Sequence, residues 1–182
     1  MVALRIADCG LRTAGLRILA TAIALVLAAP GARAETIDRV LAVASGNLIM
    51  LSDVTAARDL RLQTADGSPD PVRAILTKLI DRELVLAEVD RYAPPEPNAA
   101  AIDREVERVR AQFATQAEFD DVLQRSGVDE KHLRETLRQD LRIGAYLDQR
   151  FAAADRRQTM IGEWIAGLRR RGDVIDLYLP GR

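Results

Sequence analysis

Cysteine occurs once in this chain of 182 residues, at Cys9. Histidine also occurs once, as His132, and tryptophan once, as Trp164; aromatic residues make up 4% of the chain. Each scarcity excludes a class of chemistry. A single cysteine near the amino end cannot form a disulfide framework or a thiolate-ligated metal site in the body of the protein. A single histidine cannot build a clustered metal site, and Ser45 and Ser126, though beside glycines, have no histidine placed to activate them. His132 stands with Asp129, Glu130 and Lys131 in a charged helix turn and reads as surface. The pair Asp120-Asp121 reads as helix-start electrostatics. No glycine-rich phosphate loop of either common type is present. The expectation is a protein that is not an enzyme and that carries no cofactor and no metal.

Long apolar runs are also scarce, and the one that exists is short. It extends from Ile18 to Ala29, about 12 residues against the roughly 20 that a membrane-spanning helix needs. Arg5, Arg12 and Arg17 precede it, Pro30 and Gly31 end it, and Ala32-Arg33-Ala34 offers small residues at the −3 and −1 positions of a signal-peptidase site. Residues 1–34 are therefore expected to be a secretory signal peptide, cleaved between Ala34 and Glu35, with no stable membrane insertion. Cys9 lies before the apolar run, the wrong place for a lipoprotein cysteine, and leaves with the presequence. Residues 1–34 hold four arginines against one aspartate, so the remaining 148 residues, with 22 basic and 26 acidic side chains, carry a net charge of −4. A mildly acidic surface argues against nucleic acid as a partner. Those 148 residues are enough for one core without disulfides, and residues 35–182 are expected to form a single domain.

What is abundant is helical periodicity. Val40–Ala44 and Leu48–Leu51 flank Ser45-Gly46-Asn47 and predict a β-hairpin. Ser52 is a candidate cap for a helix reaching about Leu62. Asp70-Pro71 starts a second helix that ends near Tyr92, before Pro94-Pro95-Glu96-Pro97. Asn98 caps a third, with Ile102, Val106, Val109 and Phe113 at spacings of 4, 3 and 4. A short helix around Phe119 stops at Ser126-Gly127, and a fifth runs from about Asp129 to Phe151. The last is expected to start with an Asp155/Gln158 capping pair, carry an apolar stripe through Trp164 and stop at Gly172. Val174–Leu179 reads as a strand. The fold class expected is mostly α with a small β element. A lone hairpin and a lone strand are each unstable in water, so the C-terminal strand is expected to pair with the N-terminal hairpin.

Four stretches carry a resemblance. Ile37 to Val54 is similar to the opening hairpin and helix of SurA-type periplasmic chaperones, and Leu79-Ile80-Asp81-Arg82-Glu83-Leu84-Val85-Leu86-Ala87-Glu88 resembles that family's second-helix signature. Phe119 to Val128 with Leu133 to Phe151, and then Glu163 to Leu179, resemble its later helices and its C-terminal helix and strand. The likeness spans essentially residues 37–179. Such proteins usually insert one or two parvulin-type prolyl isomerase domains before the C-terminal helix. Here that junction is only Phe151 to Gln158, and no parvulin histidine pair occurs. The resemblance implies the chaperone module alone, in two stretches: 35–151, hairpin and helices, and 155–182, the helix and strand that complete it.

The leading expectation is thus a periplasmic holdase for unfolded polypeptides, outer-membrane protein precursors among them. Phe113, Phe119, Tyr146 and Trp164 are the candidates for gripping clients, although Trp164 is spaced as a core residue. The alternatives are an accessory subunit docking one dedicated partner, such as a separate isomerase or an export complex, and the remnant of a prolyl isomerase.

Overall fold

The computed structural model describes residues 38–152 and 156–180. The expected presequence and its cleavage point at Ala34 and Glu35 lie outside the described residues. From Asp38 onward the chain forms one compact unit. It is mostly helical with one small antiparallel sheet, and the element order is β1 (Val40–Ala44), β2 (Asn47–Met50), α1 (Leu51–Asp59), α2 (Pro71–Tyr92), α3 (Ala99–Arg110), α4 (Gln116–Ser126), α5 (Glu130–Arg150), α6 (Arg157–Arg171) and β3 (Val174–Asp176).

The two chain ends meet in the sheet, whose strand order is β2-β1-β3. Ser45 and Gly46 turn the hairpin with φ of 51° and 83°, the two positive values a two-residue turn needs to match strand twist. Asn47 is consequently the first residue of β2, paired with Ala44, rather than part of the turn. The β1–β2 register slips at Leu41, a bulge that puts consecutive residues Leu41 and Ala42 both out of solvent. On its other side β1 pairs with β3, Ala42 opposite Asp176, Val43 opposite Ile175 and Ala44 opposite Val174. The expected closure between hairpin and C-terminal strand is therefore present. Regular pairing stops at Asp176, three residues short of the expected end, and beyond it Leu177 N–H donates to the Leu41 carbonyl at 2.9 Å.

The last residues are tied back to α2. Asp70 caps that helix by accepting the Arg73 N–H at 2.9 Å, and the same carboxylate accepts the Tyr178 hydroxyl at 2.8 Å. That bond holds the phenol in its neutral form, pushing the Tyr178 pKa up. Arg73 also pairs with Asp176 at 2.5 Å.

Local capping chemistry accounts for most helix boundaries. Asn98 accepts the Ala101 N–H at 2.8 Å, Thr115 the Glu118 N–H at 3.1 Å and Asp129 the His132 N–H at 2.6 Å. Gly127 ends α4 in the left-handed conformation. Ser52 does not cap α1. The N-cap is Met50, whose N–H is taken by Asp53 at 2.7 Å, while the Ser52 hydroxyl donates to Asp38, a bond that lowers the Asp38 pKa. α1 ends at Asp59, earlier than expected, with Leu60 turning into the core. α4 starts at Gln116, so Asp120 and Asp121 lie past its first turn, where Asp120 accepts from Gln116. α6 has Arg156 as its N-cap without a side-chain bond; Asp155, proposed above as that cap, lies outside the described residues.

Apolar residues collect in two clusters. The larger packs the inner sheet face and α1 against α2, Tyr146 of α5 and Leu168 of α6. The smaller joins Leu60 to α3, α4, Leu133 and Leu137. α5 runs through both. Arg142 on α5, the buried charged residue among those described, pairs with Asp90 at 2.7 Å and Glu96 at 3.1 Å and so pins the α2–α3 connection.

Gly172 follows α6 with φ −75°, so glycine is not there for backbone freedom. A Cβ at this position would stand 2.6 Å from Leu84 Cδ2 and 2.8 Å from the Leu168 carbonyl oxygen. Gly172→Ala is expected to cost about 1–3 kcal/mol by forcing α6 off α2. Gly162→Ala, where nothing lies within 4 Å, is expected to raise stability by about 0.5–1 kcal/mol instead. Urea titration of the two variants checks both signs; equal midpoints would remove the close-approach argument.

Candidate functional site

Two features meet at β2. The first is an open cleft of about 270 Å³ between β2, α1, α2 and α5. Its floor is apolar, with Ile49, Leu60, Leu79 and Leu133 among the lining side chains. Its walls carry four carboxylates, Asp53, Glu83, Glu135 and Asp140, against one arginine, Arg82; His132 also lines it.

Arg82 is mostly withdrawn from solvent and its donors are taken up. Nε meets Asp140 at 2.7 Å, Nη1 meets Glu83 at 2.8 Å, and Nη2 meets the Thr136 carbonyl at 3.2 Å and Gln139 at 3.0 Å. The other oxygen of Glu83 accepts from Asn47 at 3.0 Å, so one chain of bonds joins β2 to α2 and α5. At the rim Arg138 grips Glu135 with two donors, at 2.7 and 2.9 Å, which lowers the Glu135 pKa and raises that of Arg138. These bonds fix the carboxylates in place but do not cancel them. The cleft keeps an excess of negative charge over an apolar floor.

The second feature is the outer face of the sheet. Leu48, Val43 and Ile175 are cross-strand neighbours on β2, β1 and β3. Leu48 is 60% exposed and Ile175 52%. Leu177 and Leu179 continue the alternation of Ile175, at 50% and 76% exposure. These side chains stay largely open to solvent, although the sheet's inner face is packed. A row of large aliphatic groups open to solvent is a candidate contact surface.

The four aromatic candidates fall into two places, neither of them the cleft. Phe113 and Phe119 lie ring to ring at 5.6 Å in the smaller cluster, both buried. Phe113 sits just past the end of α3 rather than on it. Tyr146 and Trp164 are 6.0 Å apart at the junction of α5 and α6, with Phe151 5.8 Å from Trp164 and Tyr92 stacked on Tyr146 at 5.6 Å. The Arg150 guanidinium stands 5.2 Å from the Trp164 ring and 5.7 Å from that of Phe151. Tyr146 is buried, Trp164 is half-buried and Tyr92 is exposed, so this cluster presents part of its aromatic surface to solvent. Leu48, Ile175, Leu177 and Leu179 were not singled out by sequence reasoning. The alternation in 175–179 was the available signal, read there as strand propensity alone.

Among the described residues no three histidine, cysteine or acidic side chains are grouped as a metal ion requires. No described helix is long and apolar enough to cross a membrane. No protein-family model matches the chain, and no curated protein matches it significantly.

Proposed function

We propose that this protein is a periplasmic holdase, a non-enzymatic binding protein for unfolded polypeptides that include outer-membrane protein precursors. The observation that carries the reading is the exposed aliphatic row of Leu48 and Ile175 on the sheet with Leu177 and Leu179 just beyond it, where β2 and β3 pair with no further strand among the described residues. Unfolded chains expose apolar side chains and unpaired backbone groups, and this surface offers partners for both. The resemblance of residues 37–54 and 79–88 to SurA-type chaperones supports the same reading, as does the secretory character of residues 1–34. The stretch from Phe151 to Gln158 is too short in sequence to hold an isomerase domain, and the proposed activity needs none.

The test is aggregation of an unfolded outer-membrane β-barrel protein diluted from urea, followed by light scattering. An equimolar amount of the purified protein is expected to delay scattering. Replacing Leu48, Ile175 and Leu177 together by serine should abolish the delay while the fold persists, because these side chains contribute little to the core. Prolyl isomerisation of a test peptide, slow without a catalyst at tens to hundreds of seconds, should not accelerate. Unchanged scattering at equimolar protein would sink the holdase and leave a subunit that docks one dedicated partner.

A further inference from the structure

We infer that β2 takes up one class of segment, an extended polypeptide whose side chains alternate apolar and basic, as an added strand. The inference rests on the holdase reading for the source of such segments, but its geometry stands apart from it. β1 divides its backbone groups between two neighbours. Ser45 N–H donates to the Asp173 carbonyl at 3.0 Å and the Leu41 carbonyl accepts from Leu177, so these residues turn towards β3. Ala42 and Ala44 therefore face β2, opposite Ile49 and Asn47. Leu48 lies between those two partners, and antiparallel alternation points its N–H and C=O outward, away from β1. With strand order β2-β1-β3, no strand among the described residues pairs with that edge.

A strand laid along this edge has two distinct faces. Side chains level with Leu48 fall on the outer face of the sheet and extend the row Leu48, Val43, Ile175, which suits apolar groups. Leu48 reaches the mouth of the cleft as well, but Ile49 is packed on the inner face and the Asn47 amide meets Glu83 there, so side chains level with Asn47 and Ile49 point into the cleft. The cleft sets their chemistry. A lysine or arginine can lay its aliphatic stem on Ile49, Leu60 and Leu79 and bring its charge to Glu83, Glu135 and Asp140. An acidic side chain would meet four carboxylates, and a short polar one would leave the floor unfilled. Charge complementarity and the two-residue repeat of a strand together select the alternating pattern. β2 has four residues, so pairing is brief and the side chains supply the selectivity.

The experiment uses fluorescein-labelled octapeptides and the purified protein, read by anisotropy. A peptide alternating leucine and lysine is expected to bind at least tenfold more tightly than one with the same residues in two blocks, and than one with glutamate for lysine. Methylating the peptide's alternate backbone nitrogens should abolish binding while leaving every side chain in place. Leu48→Pro, which removes the outward donor but no bond to β1, should do the same, with circular dichroism confirming the fold. The methylated peptide keeps the test decisive if that variant fails to fold. Equal binding of the alternating, blocked and methylated peptides would overturn edge pairing, and holdase activity in the scattering assay would then stand without it. Selective binding of the alternating peptide by a protein that does not delay aggregation would uphold the edge and sink the holdase.

Discussion

A protein lacking residues 174–182 is expected to unfold far below the melting temperature of the intact chain, or to aggregate on expression. β1 would lose its neighbour along Ala42, Val43 and Ala44, and those three residues would become a bare apolar edge. The core would lose Val174 and Tyr178, which pack against the larger cluster. The Asp70 carboxylate would lose the Tyr178 hydroxyl, and the exposed Arg73–Asp176 pair, worth little by itself, would go too. Partial burial of two large side chains and a handful of backbone bonds sum to something on the order of 3 kcal/mol. Small domains are stable by roughly 5–15 kcal/mol, so the deletion removes a large share. Thermal unfolding by circular dichroism decides it. An unchanged midpoint would mean that the pairing of the chain ends is decorative and that the hairpin and helices stand without it.

That closure was legible in the sequence, and it is instructive which other features were. Asp70-Pro71, Asn98, Asp129 and Gly127 each act on backbone groups within a few residues of themselves, so a linear reading places them. The misplacements share a different origin. Ser52 looked like a cap because its sequence neighbours suit one, but its hydroxyl is claimed by Asp38, fourteen residues upstream. Phe113 continues the spacing of α3, yet the helix ends at Arg110 and the ring packs on Phe119, a contact the spacing does not encode. The bulge at Leu41 arises where β1 must bury two consecutive residues, a demand set by the helices beneath it. The cleft is wholly of this second kind. Arg82 lies 58 residues from Asp140 and Glu83 lies 36 from Asn47, so no local pattern joins them. The segment holding Arg82 and Glu83 was singled out for its likeness to a chaperone signature, without any indication that these two side chains bind across the fold.

Phe119→Ala tests whether the two apolar clusters fold as one. Phe119 is 1% exposed, lies against Phe113, and has the Arg110 guanidinium 5.3 Å from its ring centroid. Truncating so enclosed a ring is expected to cost about 3–5 kcal/mol, through lost burial and a residual cavity. In a domain near 150 residues that corresponds to a fall of roughly 10 °C in melting temperature. The location of the damage matters more than its size. Phe119 belongs to the smaller cluster, whereas Trp164, the single tryptophan of the chain, packs against the larger. α5 is continuous between them, placing Leu133 and Leu137 in one and Tyr146 in the other. If that helix couples the clusters, Trp164 fluorescence and far-ultraviolet circular dichroism will report one transition, shifted equally in the variant. Fluorescence that keeps its original midpoint while helical signal is lost at lower temperature would show that α3, α4 and the start of α5 melt alone. The cleft would then lose Leu133 from its floor and the wall that Glu135 and Asp140 supply, while β2 and its outer face remained intact.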